Sequence, residues 1–508
     1  VRLCCKRVYR KAHFVSAGET LYFERFLLLF PIALYNIDTR YILGRHRSTM
    51  KELLRTFVEP VDMTEGSPWK KIILFAVPML VGNIAQQLYN TVDSVVVGNY
   101  VGDNALAAVG SAGPILNLLI VLYVGISVGA GIMVSQYFGA KEREKLSVTI
   151  GNCITLTAIA TIFVMVVASF VAKPLLELLD TPESIIGWCH SYLLILFIGS
   201  AGLAYYNILS GILRGLGDSV SALVYLLVST AINIVLDLLF VAKMGMGVNG
   251  VALATVIAQA VSALLCLLRL LKLKEFFDLN PGYFKLEGEV YPKIIRLGLP
   301  SGITQAIFSM AMIVVQSLTN SFGEMFIAAN VIIMRVDGFA MMPNFSFGTA
   351  MTTYAGQNVG ARRLDRVDKG AIQGTVIAVV TSAVITALIL LFGKALMGIF
   401  TSTPELVDLS RDMMGILAVG FIAMAVTQSL SGVMRGAGDT MTPMLISIVT
   451  TVFIRVPIAY GISFLTRTAE LPNGRQECIF ISLLSSWLIG ALITFIFYKR
   501  GTWKNKAV

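Results

Sequence analysis

The chain has 508 residues, of which 56% are hydrophobic and only 14% charged, against about 25% charged in soluble domains. With a mean hydropathy of +0.78, this excludes an ordinary soluble protein. The net charge of +10 does not indicate nucleic acid, because Lys and Arg gather in short segments between apolar runs rather than on one face.

Residues 1–62 form a mixed-charge, non-membrane extension. Its one apolar run, 26–35, is too short to cross a bilayer and has no small-residue cleavage motif after it. Starts at Met50 or Met63 are both plausible on the sequence, so 1–49 is expected to be dispensable: deleting it should leave membrane insertion and transport intact. From Met63 the text changes. Ser67 stands at an N-cap position, and Pro68 where a first-turn proline is tolerated.

Twelve spans come next, near 70–97, 105–137, 146–172, 186–212, 220–242, 249–272, 291–321, 326–356, 370–392, 408–433, 442–466 and 478–498. Alternate loops carry the positive charge: Lys70 and Lys71, Lys141, Arg143 and Lys145, Arg214, Lys272, Lys274 and Lys285, Arg362, Arg363 and Arg366, Arg435, Lys499 and Arg500. That side, with both termini, is expected to be cytoplasmic. The domain plan is an N-lobe over 63–275, a cytoplasmic linker over 276–290, a C-lobe over 291–500 and a tail over 501–508.

The two halves repeat each other. Leu209-Ser-Gly-Ile-Leu-Arg-Gly-Leu-Gly-Asp218 returns as Leu430-Ser-Gly-Val-Met-Arg-Gly-Ala-Gly-Asp439, and Gln136-Tyr-Phe-Gly-Ala140 as Gln357-Asn-Val-Gly-Ala361, both 221 residues on. Pro78 pairs with Pro300, and Thr181-Pro-Glu183 with Thr403-Pro-Glu405, 222 residues on. Each half has an even number of spans, so the copies face the same way and a path between them is expected. The expected fold is an all-α membrane protein of twelve transmembrane helices in two parallel six-helix repeats. The Arg-Gly-x-Gly-Asp segments read as an arginine at a helix end, turning glycines and an aspartate capping the next helix.

Intramembrane carboxylates are costly and so are functional candidates. Asp93 corresponds to Val315 in the second half and Asp237 to Ala459, so these carboxylates occur in one copy only. At about 1.5 Å per residue, Asp93 lies roughly 30 Å up span 1 and Asp237 about 26 Å up span 5. Asn233 is one turn from Asp237 on the same face, and Thr255 falls in the first two turns of span 6. Asp93, Asn233, Asp237 and Thr255 form an oxygen-rich set that can hold Na+, or a carboxylate pair that can hold a proton. The plainer alternatives are that Asp93 caps a helix break near Gly98 and that Asn233 and Asp237 form an interhelical clasp.

The second half has a different polar set. Arg335 and Asp337 lie mid-span on span 8 without sharing a face, and Asp337 is within reach of Arg455 on span 11, as a structural ion pair or a substrate-linked group. Met310, Met312, Met334, Met341, Met342, Met424 and Met434, beside Phe308, Phe339, Phe345 and Phe347, suit variable cationic ligands, or ordinary packing. Cys4, Cys5, Cys153, Cys189, Cys266 and Cys478 show no disulfide or zinc spacing, and His13, His46 and His190 are far apart.

The chain resembles the multidrug and toxic-compound extrusion (MATE) transporters. The resemblance rests on Leu-Tyr-Asn-Thr-Val-Asp-Ser-Val-Val-Val-Gly over 88–98, Gly102-Asp-Asn-Ala-Leu-Ala-Ala-Val-Gly110, both Arg-Gly-x-Gly-Asp segments and Arg335-Val-Asp-Gly-Phe-Ala-Met-Met-Pro343. It covers about 63–500 and implies two V-arranged lobes of the MATE/MOP type. It also implies export of small amphipathic cations in exchange for H+ or Na+, with no other cofactor. Asp93, Asn233, Asp237 and Thr255 match the DinF-like branch, as does the spacing of Asn207, although Asn207 lies only about 10 Å above Arg214 by rise per residue. The NorM-like glutamate and aspartate positions fall on Phe308 and Met424. The expected setting is a bacterial inner membrane, with lipid around the chain, no nucleic acid, no ATP for lack of a Walker-type lysine motif, and a monomeric state. Two rivals are a lipid-linked flippase of the same superfamily, which would need more basic cleft residues, and an integral-membrane enzyme, which would need a nucleophile–base pair or a metal cluster.

Overall fold

A computed structural model describes residues 59–178 and 181–506. The expectations for 1–49, and most of the extension 1–62, lie outside the described residues. The chain divides into two units, Val1–Glu59 and Pro60–Val508, and every described helix belongs to the second.

Every expected span is a helix. In chain order these are α1 (Pro68–Tyr100), α2 (Asp103–Ala140), α3 (Arg143–Leu178), α4 (Glu183–Ile198 and Ser200–Gly215), α5 (Ser219–Lys243), α6 (Gly247–Lys272), α7 (Tyr291–Asn320), α8 (Glu324–Gly360), α9 (Leu364–Gly398), α10 (Pro404–Ala418 and Gly420–Gly436), α11 (Met441–Leu465) and α12 (Cys478–Arg500). Ten are single helices long and apolar enough to cross a membrane. The other two, α4 and α10, qualify as bent pairs, at 51° and 42°.

The bends are repeat-related and have a packing cause. A Cβ at Gly199 would collide with Val256, and one at Gly420 with Trp487. The missing side chain lets each helix turn against its neighbour, which hydropathy does not register. Two π-helical stretches are likewise invisible to hydropathy: Leu238–Lys243, directly after Asp237, and Val449–Arg455. Such stretches are rare and often mark functional positions.

The bilayer acts as solvent for the outer surface. On α9, Ile372, Val376, Val380, Val384 and Leu388 are all exposed. Their four-residue spacing makes one apolar stripe, the inverse of a water-soluble helix.

Both Arg-Gly-x-Gly-Asp segments are turns with caps, as expected. Gly217 (φ +91°) and Gly438 (φ +98°) take left-handed conformations that only glycine adopts at no cost. Asp218 accepts from the Ser221 N–H at 2.9 Å and Oγ at 2.8 Å, and Asp439 accepts from the Thr442 N–H at 3.3 Å and Oγ1 at 2.8 Å. Asp218 also pairs with Arg269 at 2.7 Å in a nearly buried setting. Ser67 stands at the N-cap of α1 but makes no side-chain cap bond, while Pro68 opens the helix.

The lobes are less separate than their sequence boundaries. Met63, just before α1, and Ile72 and Phe75 at its start are buried in one cluster with Met351, Tyr354 and Val433 of the second half. Ile294 and Leu297 of α7 join the first-half core around Ile126 and Ile208. Glycines permit the α2–α7 crossing: a Cβ at Gly298 would strike the Gly125 carbonyl, and one at Gly129 the Ile294 carbonyl. Each half thus lends the beginning of its first helix to the other. The inter-lobe linker is fixed to the first half. Arg143 donates to both Asp278 carboxylate oxygens at 2.9 and 2.8 Å, Asn152 accepts from the Glu287 N–H at 2.9 Å, and Thr155 donates to the Phe284 carbonyl at 2.7 Å.

Candidate functional site: a carboxylate cluster in one lobe

Asp237 ends the regular part of α5, and Asn233 lies one turn earlier on the same face. Both are fully buried. Asp93, on α1, is half-buried beside them. With its amide nitrogen turned to the carboxylates, Asn233 donates to Asp93 Oδ1 at 2.8 Å and to Asp237 Oδ2 at 3.2 Å. One amide therefore bridges two acids. Asp237 Oδ1 is buried without a hydrogen-bond partner, an unusual state for a group that is costly to desolvate. Of the four residues expected together from sequence, Asp93, Asn233 and Asp237 adjoin one another directly. Because α1 continues unbroken to Tyr100, Asp93 caps no break at Gly98.

Thr255 on α6 joins through an intermediary, accepting from the Tyr89 hydroxyl at 3.2 Å. Tyr89 lies one turn before Asp93, and Tyr192 on α4 is also within electrostatic reach of both acids. Both tyrosines are buried. Sequence reading passed over them, although the four-residue spacing of Tyr89 and Asp93 was a usable signal. Asn207 is differently engaged: its amide donates to the Leu203 carbonyl at 2.8 Å, one turn back on its own helix, and its own carbonyl accepts from Ser127 at 2.7 Å.

The equivalent positions in the second half, Val315 and Ala459, are buried in an apolar core. There the polar residues stand apart. Arg455 is buried at the end of its π stretch and donates to the Met312 sulfur at 3.6 Å. Asp337 is within electrostatic reach of it, but the two form no ion pair within 4 Å among the described residues. Arg455 Nε and Asp337 Oδ1 are both buried without partners, and Arg335 is exposed. The methionine-rich set divides: Met341, Met342, Met424, Met434 and Phe347 are core residues, whereas Met310, Met312, Phe339 and Phe345 are exposed. Among the described residues no group of three or more His, Cys, Asp and Glu is placed to hold a metal ion.

Two parallel six-helix repeats of membrane-spanning helices are an architecture of membrane transporters. The MatE family profile matches the chain twice, over 78–239 and 300–461, and the two matches start 222 residues apart. The chain belongs to the MatE family of multidrug transporters and is not an enzyme. It is 29% identical over 465 residues to the probable multidrug resistance protein YoeA of Bacillus subtilis, covering 90% of this chain and 99% of that one. It is 25% identical over 444 residues to the probable multidrug resistance protein NorM of Thermotoga maritima, covering 86% and 94%. Its fold matches an outward-facing multidrug resistance MATE transporter of the MOP superfamily with a TM-score of 0.80, at 24% identity over 87% of this chain and 98% of that one.

Proposed function

We propose that the chain exports small amphipathic organic cations across a bacterial inner membrane, with both termini cytoplasmic, in exchange for an ion bound at Asp93 and Asp237. The observation that carries this is the one-sided pair of acids: Asp93 and Asp237 are joined by Asn233, one has an orphaned oxygen, and their counterparts in the other repeat, Val315 and Ala459, are apolar. Carboxylates needed only to hold the fold would be expected in both copies. The residues fit the DinF-like pattern, and the relatives' multidrug names agree with the substrate class.

The ion we propose is a proton: two carboxyl groups joined through one side chain in a low-dielectric site favour holding one, and the unpartnered Asp237 Oδ1 is a seat for it. Loading the cluster then biases the lobes towards the state that releases the drug, and the imposed gradient reloads it. Proton uptake or release by purified protein on adding ethidium tests the reading. Wild type should exchange protons with the drug, and Asp237→Asn should not. Equal exchange in both proteins would remove the cluster from the mechanism.

A further inference from the structure

The Gln-x-x-Gly-Ala segments that end α2 and α8 have a reciprocal geometry. Gln136 Nε2 donates to the Gly436 carbonyl at 2.8 Å, and Gln357 Nε2 donates to the Gly215 carbonyl at 3.1 Å. Each glutamine thus crosses to the Arg-Gly-x-Gly-Asp turn of the opposite repeat, and both donors and both acceptors are related by the same 221-residue offset. Both side chains are buried. The glycine three residues on makes the approach possible. A Cβ at Gly139 would fall on the Gln357 carbonyl oxygen, and one at Gly360 on the Gln136 carbonyl oxygen. The repeated motif is therefore explained on both counts: glycine lets the helix ends touch, and glutamine ties each to the far lobe.

A strap from the start of the second unit reinforces one side. The Val61 N–H donates to the Gly217 carbonyl at 3.1 Å, and the Met63 N–H donates to Gln357 Oε1 at 2.9 Å. The Met63 carbonyl accepts from Asn358 at 3.1 Å and Arg366 at 3.2 Å. On the related side, the Lys506 carbonyl lies against Gly438, beside a tail held by buried Trp503 and by Lys504 on Asp368 at 2.7 Å. Among the described residues, hydrogen bonds between the lobes run from this basic end no further along α1 than Asn83, which donates to Ser346 at 3.0 Å.

We propose that Gln136 and Gln357 close the cytoplasmic gate of the transport cycle, and that both cross-lobe bonds must break before the transporter opens inward. The proposal rests on the alternating access and membrane orientation of the proposed function. Neutral amide–carbonyl bonds suit a gate that must open repeatedly, since each exchanges readily for a bond to water and contributes little net stability.

The test uses the full chain in inside-out vesicles, with neither drug nor gradient. Ser135, fully buried against Gly356, is replaced by cysteine (Ser135→Cys). Its modification by a membrane-impermeant maleimide is followed by mass spectrometry of its peptide. Adding Gln136→Ala and Gln357→Ala together should raise the labelling rate about tenfold, the scale expected from losing two modest hydrogen bonds. Gln357→Glu, which keeps the Met63 acceptor but sets a carboxylate oxygen against the Gly215 carbonyl, should raise it as well. Unchanged labelling in the double variant would overturn the proposal, and so would a rise that comes only with a lowered melting temperature. Because labelling is read without ion or drug, a failed coupling assignment would leave this result interpretable.

Discussion

Asp218 and Asp439 occupy equivalent places yet should differ in what their loss costs. Each caps a helix, and an N-cap replaced by alanine typically costs about 1 kcal/mol. Asp218 also holds Arg269 in a nearly buried ion pair, and removing one partner of such a pair costs roughly 3 kcal/mol or more. Asp218→Ala should therefore lower the melting temperature in detergent well beyond Asp439→Ala; equal losses would show that the ion pair contributes nothing. At the coupling cluster the expectation is functional rather than structural. Asn233→Leu should abolish ion-driven efflux by leaving two acids in contact with no shared donor, whereas Asn233→Gln should keep part of it. In the second half, Asp337 and Arg455 stand within reach without contact. Sequence spacing could name the residues but not their separation, because rise per residue fixes height along a helix and leaves rotation and tilt free.

At the scale of elements, all twelve spans were legible because an apolar run of membrane length has no other use. The bends in α4 and α10 were not, because they depend on which side chain each glycine faces, Val256 or Trp487. The exchange of α1 and α7 beginnings was hidden for the same reason: periodicity shows that a face is buried, not against which lobe. The α2–α7 crossing should tolerate no side chain. Gly298→Ala places a methyl on the Gly125 carbonyl and should destabilise the protein by about 1–3 kcal/mol, read as a fall in melting temperature; an unchanged value would mean the helices can part freely. The linker gives a contrasting, surface-level prediction. The Arg143 guanidinium beside Asp278 holds its carboxyl below the usual carboxylate range. A depressed acid contributes its stabilisation above its unfolded pKa of about 4, and loses it as pH falls through the lower folded value. The docking contact should thus be intact throughout the neutral range. Arg143→Ala at pH 7 should speed tryptic cleavage after Lys274 and Lys285 several-fold, and no change would show that Ser147, Asn152 and Thr155 hold the linker without it.

For the whole molecule, duplication builds the frame and divergence supplies the chemistry. The repeat explains the paired turns, the paired bends and the paired glutamines, whereas Asp93, Asn233 and Asp237 have no polar acidic counterparts at Val315, Arg455 and Ala459. Under the proposed function, a symmetric frame with an ionisable cluster on one side would let a single ion-binding event bias a two-lobed equilibrium. The most direct test is ethidium efflux from proteoliposomes under a proton gradient or a sodium gradient imposed separately, with wild type beside Asp93→Asn. A proton gradient alone should drive efflux in wild type, with a loss of at least about tenfold in the variant, equivalent to about 1.4 kcal/mol of coupling. Efflux that follows neither gradient, or that survives unchanged in Asp93→Asn, would contradict coupling at this cluster.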